Sequence, residues 1–364
     1  MATTYGKNLK LSIYGGSHDE CIGVRVSGMP SGISFDYDEL LRFMERRAPG
    51  RNSLSTQRKE PDVPEFISGV SSVGGTLVTN GEELHAVIRN TSQRSSDYSA
   101  LEFIPRPSHA DYAAKMKYGE KVDLRGGGHF SGRLTAPMCI LGGICLQHLR
   151  TRGIEIAAHL YSVAGIKDKP LDLAKVSAAD FEILRSRSDF PVLSEDAGKL
   201  MREKIEETRA EGDSVGGVVE CAILGLPAGL GEHMFDGIEN RISSIVFGIP
   251  AVKGIEFGNG FECASLRGSE NNDQFLTDGE RIFTETNNAG GILGGMSSGM
   301  PIVFRAAMKP TPSIYLEQDS VDMVTMKPVK LSIRGRHDPC VVVRALPVFE
   351  AAAAIAITDL LLDN

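Results

Sequence analysis

Clustered glycines constrain the fold of this chain more than any other feature of its sequence. Its 364 residues include 40 glycines, concentrated at 126–128, 254–260 and 290–299 rather than spread evenly. Glycine adopts positive φ and has no Cβ, so such clusters indicate tight turns or a close approach of the backbone to a ligand. These three segments are therefore the first candidates for loops that contact a ligand.

Apolar patterns predict an intermixture of strands and helices. Residues 9–26 alternate between apolar and polar side chains around Gly15-Gly16-Ser17-His18, which predicts two strands joined by a turn that exposes His18. Asp36 and Glu39 resemble a capping pair at the start of a helix that ends before Pro49. Further predicted elements are a helix from Ser194 to Gly212, a strand over 215–224 and a buried helix over 348–362.

Two short segments of similar sequence indicate an internal repeat. Ile140-Leu141-Gly142-Gly143 and Ile292-Leu293-Gly294-Gly295 are similar, although no fixed period links them. The likeness gives a weak indication of two similar halves.

Composition is that of an ordinary globular protein and excludes several classes of function. The hydrophobic fraction is 41% and the charged fraction is 24%. A net charge of −8 argues against broad nucleic-acid binding. The N-terminal residues have no apolar core of signal-peptide length, and 351–357 is too short to cross a bilayer, so no membrane association is expected.

The cysteines do not form a recognisable metal or redox motif. None of the six forms a C-x-x-C pair, which favours reduced, buried thiols in a cytoplasmic protein, and no metal site is expected. They are Cys21, Cys139, Cys145, Cys221, Cys263 and Cys340.

Cationic residues are concentrated between Arg42 and Lys59, where Arg46, Arg47, Arg51 and Arg58 lie. In an acidic protein this concentration suits a small anionic ligand better than a polymer. Composition alone favours the alternative, a solvated helix end.

Three of the eight histidines, His18, His109 and His337, lie in turns beside small residues or arginine. Imidazole exists in either protonation state near neutral pH, so a histidine beside a phosphate can act as a general acid. Arginine binds phosphate or carboxylate through paired hydrogen bonds and does not titrate. Arg47, Arg106, Arg133 and Arg336 all lie beside Gly, Pro or His turns.

Nucleotide-binding signatures are missing from the sequence. It contains no G-x-x-x-x-G-K-[ST] phosphate loop and no G-x-G-x-x-G at a strand-to-helix junction, which argues against an ATPase and a Rossmann-type dehydrogenase. Lys309-Pro310-Thr311-Pro312-Ser313 offers a cation and two hydroxyls that suit a flavin phosphate or ring edge, and equally an ordinary turn after a strand.

Three motifs resemble those of the chorismate synthase family. Tyr14-Gly15-Gly16-Ser17-His18-Asp19 resembles the family's Phe-Gly-Glu-Ser-His-Gly, and the second and third motifs correspond to 125–133 and to Arg336-His337-Asp338-Pro339-Cys340. Residues 250–254, 286–291 and 309–313 match family blocks as well, so the resemblance covers nearly the whole chain. It implies an α/β (α+β) fold, a β-α-β sandwich with two similar halves in one domain over 1–364, assembled as a homotetramer.

The resemblance also implies a reaction, the anti 1,4-elimination of phosphate from 5-enolpyruvylshikimate 3-phosphate to give chorismate. The implied cofactor is reduced flavin mononucleotide (FMN), with no net redox change. NADPH is a candidate reductant, and an external reductase is the alternative.

Residue roles follow from the same resemblance. His18, assisted by Ser17, would protonate the departing phosphate, and His109 would lie against the flavin and keep its reduced form suitably charged. Asp338, with Ser131 nearby, would help a flavin nitrogen to deprotonate. The implied substrate ligands are Arg47, Arg106, Arg133 and Arg336. The implied cofactor-binding residues are His129, Phe130, Ser131, Ala251, Gly294, Lys309, Pro310, Thr311, Pro312, Ser313 and Arg336.

Several positions depart from the family pattern. Gly16 and Asp19 replace Glu and Gly in the first motif, and His129-Phe130 stand where Arg-Ser is frequent. Ser53 occupies a position often held by arginine, and Arg51 is a candidate to compensate. These departures motivate two alternatives to the lyase, a non-catalytic protein that binds flavin or an anion and, with less support, a flavin oxidoreductase.

Overall fold

The structure is a computed structural model that describes residues 3–50, 61–90, 103–119, 122–333 and 338–363. The first half contains β1 (Thr3–Tyr5), β2 (Lys10–Gly15), β3 (Cys21–Ser27), β4 (Ser34–Phe35), α1 (Tyr37–Arg47), β5 (Glu65–Ser68), β6 (Val70–Val73), β7 (Thr76–Thr79), β8 (Leu84–Arg89), α2 (Asp111–Tyr118) and α3 (Thr135–Thr151). The second half contains β9 (Glu155–Val163), β10 (Ile166–Lys167), α4 (Ala178–Ser186), α5 (Glu195–Ala210), β11 (Gly217–Leu224), α6 (Ile238–Val246), β12 (Val252–Phe257), α7 (Gly268–Asn271), β13 (Phe275–Thr277), β14 (Ile282–Thr284), β15 (Ile292–Leu293), β16 (Met296–Ser297), β17 (Ile302–Met308), β18 (Gln318–Asp322), β19 (Lys327–Leu331) and α8 (Val342–Leu361).

Two antiparallel five-stranded sheets form the framework. The first has the strand order β1-β2-β3-β8-β5 and the second the order β10-β9-β11-β17-β12. The smaller sheets are β4-β7-β6 and the hairpins β13-β14, β15-β16 and β18-β19. Each half of the chain therefore contributes one five-stranded sheet.

Helices α3 and α8 fill the space between the two large sheets. α3 packs on β3 and β8 of the first sheet, whereas α8 packs on β9 and β11 of the second. The two helices cross closely because Gly142 has no side chain: a Cβ there would lie 2.2 Å from the Cβ of Ala351. One hydrophobic core joins residues of both sheets and both helices. The predicted α/β fold, a sandwich of sheet, helices and sheet, is confirmed.

Most predicted elements are present at or near their predicted bounds. The turn between β2 and β3 carries 16–20, and the Asp36 side chain accepts a hydrogen bond from Glu39 N at 2.8 Å at the start of α1. The Ser194 side chain caps α5 in the same way. The C-terminal helix was predicted too short, because it begins at Val342 and continues through Pro347.

The local sequence likeness does not mark a structural repeat. Residues 140–143 lie inside α3, whereas 292–295 form the β15-β16 hairpin, so the two segments adopt different structures. What the two halves share is one antiparallel five-stranded sheet each. In the part of the chain that the structure describes, no helix combines the length and the apolar character needed to span a bilayer.

Candidate functional site

A cavity of about 700 Å³ lies where loops from both halves of the chain meet. Its size is that of a small-molecule site. Its lining includes the cationic side chains Arg47, Arg106, Arg133, Lys309 and Arg344. Other lining residues are Ser108, His109, Gly126, His129, Phe130, Ser131, Thr135, Phe247, Ile249, Pro250, Ala251, Thr311, Pro312, Ser313, Asp338, Val341 and Val348.

The turn after β2 is fixed against the glycine loop at 125–130. Ser17 N donates to Gly128 O at 3.2 Å, and Ser17 Oγ donates to Arg125 O at 3.0 Å. Gly126, Gly127 and Gly128 all have positive φ in this loop. A Cβ on Gly126 would lie 2.5 Å from His18 Nε2, so the missing side chain lets His18 approach the cavity wall.

His129 links the same two loops. Its Nδ1 lies 2.9 Å from Gly15 O, and because a carbonyl oxygen only accepts, Nδ1 carries the proton. The ring packs edge-on against Phe130, and both line the cavity. The contact with Gly15 O therefore fixes the tautomer of His129, with the proton on Nδ1.

His109 is held by a buried carboxylate in the turn that precedes α2. Its Nδ1 donates to Asp111 Oδ1 at 2.6 Å, while Arg106 Nε and Nη2 donate to the two carboxylate oxygens at 2.7 Å each. Burial alone would raise the pKa of Asp111, but the hydrogen bonds from Arg106 and His109 outweigh it and hold that pKa well below its usual range. His109 Nε2 and Ser131 Cβ both lie within van der Waals reach of a Cβ placed on Gly127, at 3.5 and 3.4 Å.

Arg47 and Arg133 share the buried carboxylate of Asp62. Arg47 Nη1 donates to Asp62 Oδ2 at 2.5 Å, and Arg133 Nη1 donates to Asp62 Oδ1. Burial opposes ionisation of Asp62, but the charges of Arg47 and Arg133 outweigh it and lower its pKa. Two guanidinium groups and one carboxylate leave a net charge of +1 at this wall, which favours an anionic ligand.

Asp338 pairs with an arginine at the start of α8. Arg344 Nη1 donates to Asp338 Oδ2 at 2.5 Å, and Arg344 Nε donates to Arg47 O at 3.1 Å. Burial lowers the pKa of Arg344, and the charge of Asp338 partly offsets that shift. The pair ties α8 to the C-terminal end of α1.

Another part of the lining is formed by 309–313 and 247–252. Lys309 Nζ donates to Ser108 O, and burial together with the nearby Lys253 lowers the pKa of Lys309. Thr311 Oγ1 is buried and has no hydrogen-bond partner among the described residues. Ala251 has a φ of 74°, a strained conformation for a residue with a Cβ. An apolar wall with one cation and one unsatisfied hydroxyl fits a planar, phosphate-bearing cofactor such as FMN.

The structure brings most of the predicted site residues to this one cavity. Those that line it are His109, Asp338, Ser131, Arg47, Arg106, Arg133, His129, Phe130, Ala251, Lys309, Thr311, Pro312 and Ser313. Ser17 and His18 contact the wall through Gly126, and Pro310 lies within the lining segment without lining the cavity itself. Gly294 lies on the β15-β16 turn and is not among the lining residues. Arg336, His337, Arg51 and Ser53 lie outside the described residues.

Comparison with known proteins places the chain in a family. A family model described as chorismate synthase matches residues 9–362. The chain belongs to the chorismate synthase family.

Relatives at high identity cover almost the whole chain. A chorismate synthase from Lancefieldella parvula is 44% identical over 370 residues, covering 99% of this chain and 96% of the relative. One from Thermococcus kodakarensis is 45% identical over 357 residues, covering 98% and 97%. A solved structure titled "Crystal Structure of Chorismate Synthase" superposes with a TM-score of 0.75 at 27% identity, covering 98% of this chain and 93% of that one.

The family predicted from the three motifs is thus confirmed, and with it the enzyme class, a lyase of the shikimate pathway. Two departures from the chorismate synthase motifs are visible in the described residues. The Asp19 carboxylate lies 3.3 Å from the position of a Cβ on Gly16, so it occupies space beside the shortened residue. His129 contacts Gly15 O, as described above.

Sequence reasoning missed three charged residues of the site: Asp62, Asp111 and Arg344. Asp111 ends the Arg106-Pro107-Ser108-His109-Ala110-Asp111 motif, so a carboxylate two residues after a candidate acid was a usable signal. Asp62 lies 71 residues before Arg133, and no local pattern relates the two. Arg344 lies on the first turn of α8, whose start was predicted too late.

Proposed function

We propose that this chain eliminates phosphate from 5-enolpyruvylshikimate 3-phosphate to give chorismate, with reduced FMN as cofactor. The observation that carries the proposal is the convergence of His109, Asp338 and five cationic side chains on one cavity beside the loop of His18. A substrate with one phosphate and two carboxylates matches such a wall. Family membership supports the same reaction.

Substrate binding is assigned to Arg47 and Arg133, which share the Asp62 carboxylate, and to Arg106. Their guanidinium groups are buried and held by carboxylates, so they keep their positions when the anion enters. Charges held in fixed positions stabilise a departing phosphate more than mobile water does. Arg336 of the third motif is proposed as a further ligand from the family resemblance.

Proton transfer to the phosphate is assigned to His18. The Ser17 backbone and hydroxyl bond the turn to the glycine loop, which holds the imidazole against the wall at Gly126. A histidine so placed can donate a proton to the leaving oxygen.

The cofactor is proposed to lie against the wall of 247–252 and 309–313. Lys309 and the hydroxyls of Thr311 and Ser313 are available to its polar groups, and the unsatisfied Thr311 Oγ1 supports a polar ligand there. Reduced FMN, when bound there, would lend electron density to the elimination with no net oxidation. His109 and Asp338 hold or move protons at this face.

Anaerobic turnover tests the proposal. Purified protein with chemically reduced FMN and the substrate should release chorismate and phosphate in equal amounts, with no net flavin oxidation. His109→Ala should lower turnover roughly a hundredfold or more, the range for a lost acid-base group. His233→Ala, an exposed histidine outside the cavity, is the matched control.

Two outcomes would overturn the proposal. Tight binding of reduced FMN without any chorismate would select a non-catalytic binding protein, and net flavin oxidation dependent on substrate would select an oxidoreductase. Repeating the assay in air with NADPH and FMN tests whether NADPH is the reductant or an external reductase is needed.

We also propose that residues 1–364 form one domain that assembles as a cytoplasmic homotetramer. The shared hydrophobic core supports the single domain. Large apolar side chains that are exposed in one chain, such as Phe235 at 82% and Phe261 at 84%, support burial against other copies. Light scattering that gives the mass of one chain would contradict the assembly.

A further inference from the structure

Asp111 connects two residues of the site through one carboxylate. It is the first residue of α2 and is buried, with an exposed fraction of 3%. Both carboxylate oxygens are in use: Oδ1 accepts from His109 Nδ1 and Arg106 Nη2, and Oδ2 accepts from Arg106 Nε and from the Arg106 backbone N at 3.0 Å. One side chain therefore closes the whole turn from 106 to 111.

This arrangement decides which nitrogen of His109 carries the proton. An ionised carboxylate only accepts hydrogen bonds, so the 2.6 Å contact with Asp111 Oδ1 places a proton on Nδ1. Arg106 Nη2 lies 3.1 Å from the same nitrogen, but its shorter contact is the hydrogen bond that it donates to Asp111 Oδ1 at 2.7 Å. The Nε2 atom is then the nitrogen that His109 offers to the cavity, near Gly127 and Ser131. A carboxylate that orients an imidazole in this way fixes both its tautomer and its ring plane.

The turn itself needs such a clamp. Ser108 has a φ of 59°, which is costly for a residue with a Cβ. His109 N donates to Arg106 O at 3.1 Å, so the backbone of the turn is tight as well as strained. Four hydrogen bonds accepted by Asp111 hold this conformation, which leaves little freedom to His109.

A purely helical role for Asp111 does not explain these contacts. A carboxylate in the first turn of a helix is favourable because of the helix dipole alone. Here, however, the carboxylate oxygens accept hydrogen bonds from Arg106 and His109, and the preceding residue, Ala110, provides no side-chain cap. The carboxylate is directed at the site rather than at the helix end.

We propose that Asp111 is the positioning residue that holds His109 in its Nδ1–H tautomer and locks Arg106 beside it. Its effect on turnover rests on the proposed function of His109. Its effect on the imidazole does not, because the contact lies entirely within the chain.

The tautomer can be measured on the protein without substrate or cofactor. In protein labelled with ¹⁵N-histidine, His109 should show a hydrogen-bonded proton on Nδ1, assigned by its loss in His109→Gln. In Asp111→Asn that signal should disappear or move to Nε2. Asp278→Asn is the matched control, because Asp278 also pairs with an arginine in a tight turn but lies away from the cavity.

A double-mutant cycle separates positioning from general structural damage. Asp111→Asn should lower kcat by at most the factor seen in His109→Ala, and it should add little to that factor in the double variant. Release of Arg106, a proposed substrate ligand, should instead raise KM. Additive losses in kcat would overturn the proposal. So would a wild-type His109 that carries its proton on Nε2, a measurement that needs no folded Asp111 variant. If His109→Ala turns over normally while Asp111→Asn still shifts the tautomer, the positioning holds and the proposed role of His109 fails.

Discussion

Arg344 Nη1 donates to Asp338 Oδ2 at 2.5 Å in the wall of the cavity. The two residues join the third motif to the first turn of α8, and the same guanidinium donates to Arg47 O at 3.1 Å. The position of Asp338 thus depends on an arginine that lies outside the motifs.

Replacing Arg344 is expected to slow turnover. Arg344→Leu removes a charge-assisted hydrogen bond worth about 1.5–3 kcal/mol, so kcat should fall roughly tenfold to hundredfold if Asp338 must be held in place. Arg344→Lys retains the cation near Asp338 and should recover part of the loss. Steady-state chorismate formation gives kcat and KM for both variants, and a kcat of Arg344→Leu equal to that of the wild type would contradict the prediction.

Removing Asp62 is expected to destabilise the fold. Asp62→Ala leaves two buried guanidinium groups without the carboxylate they share, and loss of one partner of a buried pair costs about 3–5 kcal/mol. Glu83→Ala is the control, because it breaks an exposed pair with Arg25 and should cost at most about 1 kcal/mol. Urea denaturation measures both free energies of unfolding, and equal losses would refute the assignment of Asp62 as a structural counter-ion.

The turn at 15–18 and helix α1 were predictable because their signals are local. Glycines and alternating side chains define the turn, and Asp36 caps the helix that follows it by accepting from Glu39 N, three residues later. The family resemblance predicted which motif residues belong to the site, although these residues lie in distant segments of the chain. Their partners were not predictable in this way.

Long-range packing explains what the sequence could not specify. The contact between Asp62 and Arg133 spans 71 residues, and the close crossing at Gly142 and Ala351 requires two helices from opposite ends of the chain. The likeness between 140–143 and 292–295 was misleading because the same short sequence is compatible with a helix in α3 and with the β15-β16 hairpin. Such choices are made by tertiary packing rather than by local propensity.

A side chain at Gly126 is expected to disrupt the site. A Cβ there would lie 2.5 Å from His18 Nε2 and 2.8 Å from Ser17 Oγ, so Gly126→Ala must displace the turn that carries both. Gly74→Ala is a close control because Gly74 has the same φ of 59° but no atom within 4 Å of its Cβ position. The control should lose only the strain energy, about 1–2 kcal/mol, and keep its turnover.

The two variants should therefore differ both in turnover and in the free energy of unfolding. Gly126→Ala should lose more stability than Gly74→Ala and most of its chorismate formation. If both variants lost the same stability and kept the same activity, the close approach of His18 to the glycine loop would be refuted.

His159 is expected to make stability fall as the pH rises above neutral. The imidazole is fully buried between two carboxylates, with Nδ1 3.1 Å from Asp168 Oδ2 and Nε2 2.8 Å from Glu220 Oε2. Burial alone would lower the pKa of His159, but the hydrogen bonds to Asp168 and Glu220 outweigh it and raise the pKa above its usual value of 6.5. A group with a raised folded-state pKa stabilises fully below its unfolded pKa, and that contribution is lost as the pH rises through the folded pKa.

The free energy of unfolding, measured by urea titration from pH 6 upward, should therefore decline by up to about 1.4 kcal/mol per pH unit in the window between the two pKa values. His159→Gln cannot titrate, so its profile should lose this decline, whereas His233→Gln, at an exposed site, should retain it. Parallel profiles for wild type and His159→Gln would mean that the buried imidazole is neutral. A neutral imidazole carries a proton on only one ring nitrogen, so only one of the two carboxylates could then accept a hydrogen bond from it. The network would in that case stabilise the fold through packing rather than through charge.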